Sequence, residues 1–390
     1  MSVFLFLKQI VDIMYPYHWM DYMMVIMVMA ALVYQILLVR PSVKEFFTFS
    51  DLLILIGGTL LTVSFLKNTD GYGIYVKVLS AFLMYFVGRI YYDRIKECYG
   101  ALVKAAYMVV YINFFYRLYR FGAGFLHVNN AEGDLYYYDT DMAFAMILAL
   151  IFIGMFGRNT MRKYMTMFLI CPYMVFCSDA GIQKALLLVI VFLMFFYLFE
   201  RAAGKQKITN ILLAVSIFGL LLLSSLLMLP VISRHTGILE QIGTLGDWLS
   251  VGNMYVRYER WSTVWNQYLS AGVWEKLFGL NLCADGIDGS VGNMYLKILY
   301  TTGIAGMLFF IVFVVSVVYY VLQIQDRKTF YVMILLAVIL LGTGITVDSM
   351  EATQMSWFPL MFSGMVISSV RTQQEEGING RSDSFDPDEK

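Results

Sequence analysis

The strongest constraint on this chain is a succession of apolar runs, each near the roughly 20 residues that an α-helix needs to cross a bilayer. Such runs fall at 20–39, 51–66, 74–92, 101–116, 142–157, 164–177, 185–199, 208–229, 303–323, 330–346 and 354–370. About eleven crossings use about 220 residues, a little over half of the 390. Composition agrees, with 60% hydrophobic and 14% charged residues and a mean hydropathy of +0.69. The predicted fold class is all-α: a polytopic integral membrane helix bundle of about 11–12 transmembrane helices with one large external loop. That excludes a cytosolic or secreted globular enzyme, a disordered chain, and a nucleic-acid binder with a broad basic surface.

Lys plus Arg and Asp plus Glu number 28 each, so net charge names no partner and only placement informs. One alternate set of connectors, from Arg40 and Lys44 through Arg158, Arg162 and Lys163 to Arg327 and Lys328, is the richer in cations. Cytoplasmic loops carry that excess, which puts the C-terminus in the cytoplasm and, with an odd number of crossings, the N-terminus outside. A further helix over residues 3–19 would add a crossing and bring the N-terminus inside. Val3 to Leu7 precede Lys8 without a basic leader or a small-residue cleavage site, so no removed signal peptide is expected. The four cysteines are too scattered for a disulfide framework.

The chain divides into transmembrane helices over 1–230 with a smaller external loop at 117–141, a large external loop at 231–292, transmembrane helices over 293–370, and a tail at 371–390. The tail from Thr372 is polar and acidic and reads as disordered. The large loop holds Trp248, Trp261, Trp265 and Trp274, four of six tryptophans, and so reads as structured. Trp261, Val264, Trp265, Tyr268 and Leu269 follow the spacing of an amphipathic helix. Arg257 and Arg260, three apart, start that helix on neighbouring positions.

Further cations lie on the same predicted side. Arg117 and Arg120 end an apolar helix, and Lys184 occupies a tight turn after Asp179. Taken singly, each reads as a snorkelling side chain or an ion pair, and the tryptophans as an interfacial belt. Together they suit a ligand with several negative charges at its lipid end. Lys77, Arg89 and Lys104 lie near helix ends and are expected to snorkel. Lys297 follows Asn293 and Tyr295 where the chain re-enters the membrane, which directs it toward the same external site. Phosphate loops, zinc-hydrolase and serine-hydrolase signatures are lacking, and the histidines are only His18, His127 and His235. No metal and no cofactor is called for.

Arg257-Tyr-Glu-Arg260-Trp261-Ser-Thr-Val-Trp265, then Lys276-Leu-Phe-Gly279, then Gly292-Asn293-Met294-Tyr295-Leu296-Lys297 and Gly303-Ile-Ala-Gly306, resembles the O-antigen polymerase and O-antigen ligase superfamily. Where the ligase branch carries a histidine before Asn293, this chain has Gly292, which favours the polymerase branch. The pairing of arginine with tryptophan stays open between Arg257 with Trp261 and Arg260 with Trp265.

The resemblance implies a multi-pass protein of the bacterial cytoplasmic membrane. Its substrates would be polyprenyl-diphosphate-linked oligosaccharides, one as glycan donor and one as acceptor. Its partners would be the bilayer, a chain-length regulator and a flippase, with no nucleic acid. Arg257 and Arg260 are the expected catalytic cations against the leaving diphosphate, with Glu259 as a weaker proton acceptor beside Asp139, Asp141, Asp285 and Asp288. Arg117, Arg120, Lys184, Asn293, Tyr295, Lys297, Trp261 and Trp265 are the expected substrate-binding residues. Ligase-type transfer and a lipid-linked oligosaccharide flippase are the alternatives.

Overall fold

A computed structural model describes residues 2–13, 18–39, 47–67, 69–92, 97–121, 139–158, 160–176, 189–191, 193–194, 197, 254–283 and 291–382. Every regular element among them is helical. In order these are α1 (Ser2–Val11), α2 (His18–Val39), α3 (Phe49–Lys67), α4 (Tyr72–Ile90), α5 (Tyr99–Phe121), α6 (Asp139–Phe156), α7 (Met161–Phe176), α8 (Met254–Ser270), α9 (Val273–Phe278), α10 (Met294–Gln323), α11 (Arg327–Ala337) and α12 (Thr353–Ser382). Among the described residues, α3, α4 and α10 are long and apolar enough to cross a membrane. The runs predicted at 185–199 and 208–229 lie largely or wholly outside the described residues.

Apolar side chains also cover the outside of the bundle. Ile26, Val33 and Leu37 of α2 and Leu308, Val315 and Leu322 of α10 are exposed. In water such faces would drive association, whereas hydrocarbon solvates them at no cost. This marks a membrane protein. α6 is apolar all round and is buried from Met142 to Ile153, as an apolar helix at the centre of a bundle must be.

α4 and α12 run parallel in close contact. Ser80 accepts from Trp357 Nε1 at 2.9 Å, and Arg89 donates to Ser368 Oγ at 2.7 Å two turns further along. Gly88 and Gly364 permit this approach, because a Cβ on either would overlap a backbone carbonyl of the other helix. α3 runs antiparallel to α10, joined by Ser50 to Ser316 at 2.7 Å and by Ser64 to the Thr301 carbonyl at 2.5 Å.

At the start of α3, Thr48 and Asp51 form a capping box: Asp51 Oδ2 accepts from Thr48 N at 2.6 Å, and Thr48 Oγ1 accepts from Asp51 N at 3.3 Å. Asp51 also receives Tyr85 Oη at 2.6 Å and a two-pronged ion pair from Arg89, with Nε at 3.0 Å and Nη2 at 3.1 Å. Arg89 therefore does not snorkel. It is 4% exposed and neutralises a wholly buried carboxylate that ties α3, α4 and α12 together.

Two other expectations are corrected. The N-terminal segment forms a ten-residue helix, too short to cross a bilayer, with Lys8 buried against Asp12, Thr353 Oγ1 and the face of Trp357. The polar tail is not disordered from Thr372, since α12 continues to Ser382 through Gln373, Gln374, Glu375 and Glu376, which are good helix formers.

Candidate functional site

Residues 254–283 and 291–306 fold into one assembly around the first turns of α10. Asn293 caps that helix, accepting from Leu296 N at 2.9 Å, and its amide donates to the Ile345 carbonyl at 3.1 Å. Tyr295 Oη donates to the Leu341 carbonyl at 2.7 Å. The polar ends of Asn293 and Tyr295 thus bond to the protein itself and hold α10 against the turn that follows α11.

The α8 helix packs on this assembly by a narrower face than its spacing predicted. Trp261, Val264 and Tyr268 are buried, with Trp261 Nε1 donating to the Val291 carbonyl at 3.1 Å and Tyr268 Oη to the Lys276 carbonyl at 2.8 Å. Trp265 is 44% exposed, and Leu269 is exposed beside it. Trp274 and Phe278 are exposed too and stack on each other with ring centroids 6.1 Å apart.

Two glycines of the resembling segment meet. At Gly279 and Gly303 the backbone takes φ of 89° and 69°, a region that favours glycine. A Cβ on Gly303 would lie 2.4 Å from the Leu277 carbonyl carbon, and one on Gly279 would lie 1.9 Å from the Thr301 oxygen. Leu280 N donates to the Tyr300 carbonyl at 2.9 Å, completing the junction. The turn after α9 is thereby fixed against a kink in α10.

The two arginines part company. Arg257 points inward and donates Nη1 to the Thr346 carbonyl, while Arg260 and Glu259 lie on the exposed side of the helix. Burial and then the neighbouring Arg260 lower the Arg257 pKa, with Asp348 opposing them. A guanidinium still keeps its charge. Arg117 and Arg120 lie in the last turns of α5. Lys184, Asp285 and Asp288 lie outside the described residues.

Lys297 turns inward as well. It is 7% exposed, with Nζ 3.2 Å from Glu351 Oε1. Beyond this ion pair opens a cavity of about 90 Å³ between α3, α4 and α10. Its walls are apolar, including Leu61, Val78, Phe82 and Phe309, and its polar end is made by Lys297, Asp348, Glu351 and Thr301. Asp348 accepts from Gly292 N at 3.2 Å and Asn293 N at 2.9 Å.

A charged path thus runs from Arg257 past Asp348 to Glu351 and Lys297, beside an apolar cleft. Thr346, Asp348 and Glu351 were absent from the sequence expectations. They sit between a π-helical turn at Val338–Gly342 and the start of α12, where a run read as one apolar span breaks off early. Two carboxylates only three residues apart between apolar runs were the available signal. Among the described residues no cluster of three metal-ligating side chains occurs. No family model matches the chain, and no curated protein or solved structure is similar enough to carry an inference.

Proposed function

We propose that this protein is a metal-independent polysaccharide repeat-unit polymerase, a multi-pass enzyme of the bacterial cytoplasmic membrane with about 11 crossings and a cytoplasmic C-terminus. It transfers a glycan from one polyprenyl-diphosphate carrier to the sugar end of another lipid-linked unit, on the external face. The carrying observation is the inward pairing of Arg257 with the turn that supplies Asp348 and Glu351, next to an apolar cavity.

The chemistry follows from charge and polarity. Departure of a lipid diphosphate places new negative charge at the broken bond, and a partly buried guanidinium stabilises that charge more than it stabilises the bound donor. Arg257 is the cation proposed for this role, with Lys297 in the cavity wall; Arg260 and Glu259 lie on the exposed side of α8. The apolar walls suit hydrocarbon of the carrier, and the exposed rings of Trp265 and Trp274 suit sugar faces.

The test is R257A in cells that make the polymer. Loss of polymer with single repeat units accumulating on their carrier outside supports the reading. Unchanged polymer length would overturn it, and units trapped inside would indicate transport instead.

A further inference from the structure

On residues lining the cavity, the buried Thr301 Oγ1 lacks a hydrogen-bond partner among the described residues, and Glu351 Oε1 has the Lys297 ammonium as its neighbour of opposite charge. Lys297 Nζ stands 3.2 Å from that oxygen as an ion pair, which leaves the rest of the carboxylate open to a donor. Thr301 is 4% exposed. Buried polar atoms in proteins are nearly always paired. An unpaired hydroxyl and a carboxylate with a cationic neighbour in the same cavity therefore offer hydrogen-bonding positions to a ligand. A carboxylate requires a donor, and a lysine and a threonine hydroxyl accommodate acceptors, so the complementary ligand carries hydroxyl groups.

Asp348 lines the same cavity but is committed to the Gly292 and Asn293 amides. Glu351 is the carboxylate that remains for chemistry. We infer that Glu351 accepts the proton of the attacking sugar hydroxyl, with Lys297 positioning the carboxylate and Thr301 binding the same hydroxyl. This rests on the glycosyl-transfer reading and deepens it.

In the step, a lone pair of the acceptor oxygen forms the new bond to the anomeric carbon. The bond from that carbon to the diphosphate oxygen breaks, and its electron pair leaves with the diphosphate. The acceptor proton passes to Glu351 and then to water. The environment suits a base. Burial pushes the Glu351 carboxyl up to about 7, helped by Asp348 and opposed by Lys297 and by Lys77 of α4. A base is most effective with its pKa near the working pH. On the far side the Lys8–Asp12 pair of α1 ends at Thr353.

The test uses the purified full chain in liposomes with a synthetic polyprenyl-diphosphate oligosaccharide, at pH values either side of neutrality. Wild-type kcat should rise with pH through one ionisation near 7. E351Q should lower kcat by roughly 10²-fold or more while leaving the donor KM nearly unchanged. E351D, which keeps a base, should retain turnover with its ascending limb moved to lower pH, a shift that a packing role would not produce. Should E351Q fail to fold, E351D decides alone. Near-wild-type turnover by E351Q, or a limb that E351D leaves in place, overturns the role of Glu351 alone. A wild-type protein that makes no product overturns the glycosyl-transfer reading and this inference together.

Discussion

Lys297 and Glu351 form a buried ion pair across the mouth of an apolar cavity, with Nζ 3.2 Å from Oε1. Removing one partner strands the other charge. K297M should destabilise the protein by about 3–5 kcal/mol, read as a fall in melting temperature in detergent. The double variant K297M/E351Q should recover most of that loss, because the uncompensated charge goes too. Equal destabilisation in both variants would mean that packing, and not charge, is what the pair supplies.

The same carboxyl gives stability a definite pH dependence. Its native pKa is about 7 against an ordinary 4.5, so the folded state holds the extra proton between those values. Stability should therefore fall as pH rises through that window, and be greatest below it. Melting temperatures of the wild type minus those of E351Q should decline from acid toward neutral pH. A flat difference would place the carboxyl in a far more solvated setting.

Gly303 should tolerate no side chain. Alanine there would need a strained backbone and would overlap Leu277 and Gly279, so G303A should cost about 2–5 kcal/mol and the yield of folded protein should drop. G100A is the control. A Cβ at Gly100 meets nothing within 4 Å, so alanine should be neutral or stabilising by up to about 1 kcal/mol.

Much of the frame was legible in the sequence, since hydropathy at bilayer length marked α2, α3, α4, α6 and α7 closely, whereas α10 begins at Met294, well before its run, α11 stops early at Ala337 and α12 runs on to Ser382. The glycine junction was legible only as spacing: Gly279 and Gly303 belong to the resembling segment, but their contact arises from tertiary packing. Burial direction was the weak point. Arg89 near a helix end reads as a snorkelling cation, and only the fold reveals Asp51 as its partner, because that pairing spans three helices' worth of packing rather than a local spacing. On α8 the apolar spacing did not decide which residues face inward. The partner surface is narrow, so Trp261 is covered and Trp265 is not. Glu351 was hidden because a π-helical turn shortens an apolar run and carries its polar end into the bundle.

The two arginines of α8 should separate in kinetics. R257A should reduce kcat by roughly 10²–10³-fold, and R257K should recover little, because a lysine lacks the planar fork that reaches the Thr346 carbonyl. R260A should alter activity far less. Equal losses at both positions would contradict the inward and outward placement.

Trp261 and Trp265 should separate likewise, by stability against activity. W261A should lower the melting temperature, since it removes a buried ring and its bond to the Val291 carbonyl. W265A should leave the melting temperature nearly unchanged and raise the KM for the saccharide substrate. If W265A unfolds the protein, the exposed Trp265 ring is not a saccharide surface.

The most direct test of the central claim is product analysis with the purified protein, one polyprenyl-diphosphate oligosaccharide and no added metal. The account predicts a ladder spaced by single repeat units, with one polyprenyl diphosphate released per unit added, and its loss in R257A. Unaltered substrate after prolonged incubation with folded wild-type protein, or movement of the intact lipid across the bilayer without any new glycosidic bond, would contradict it.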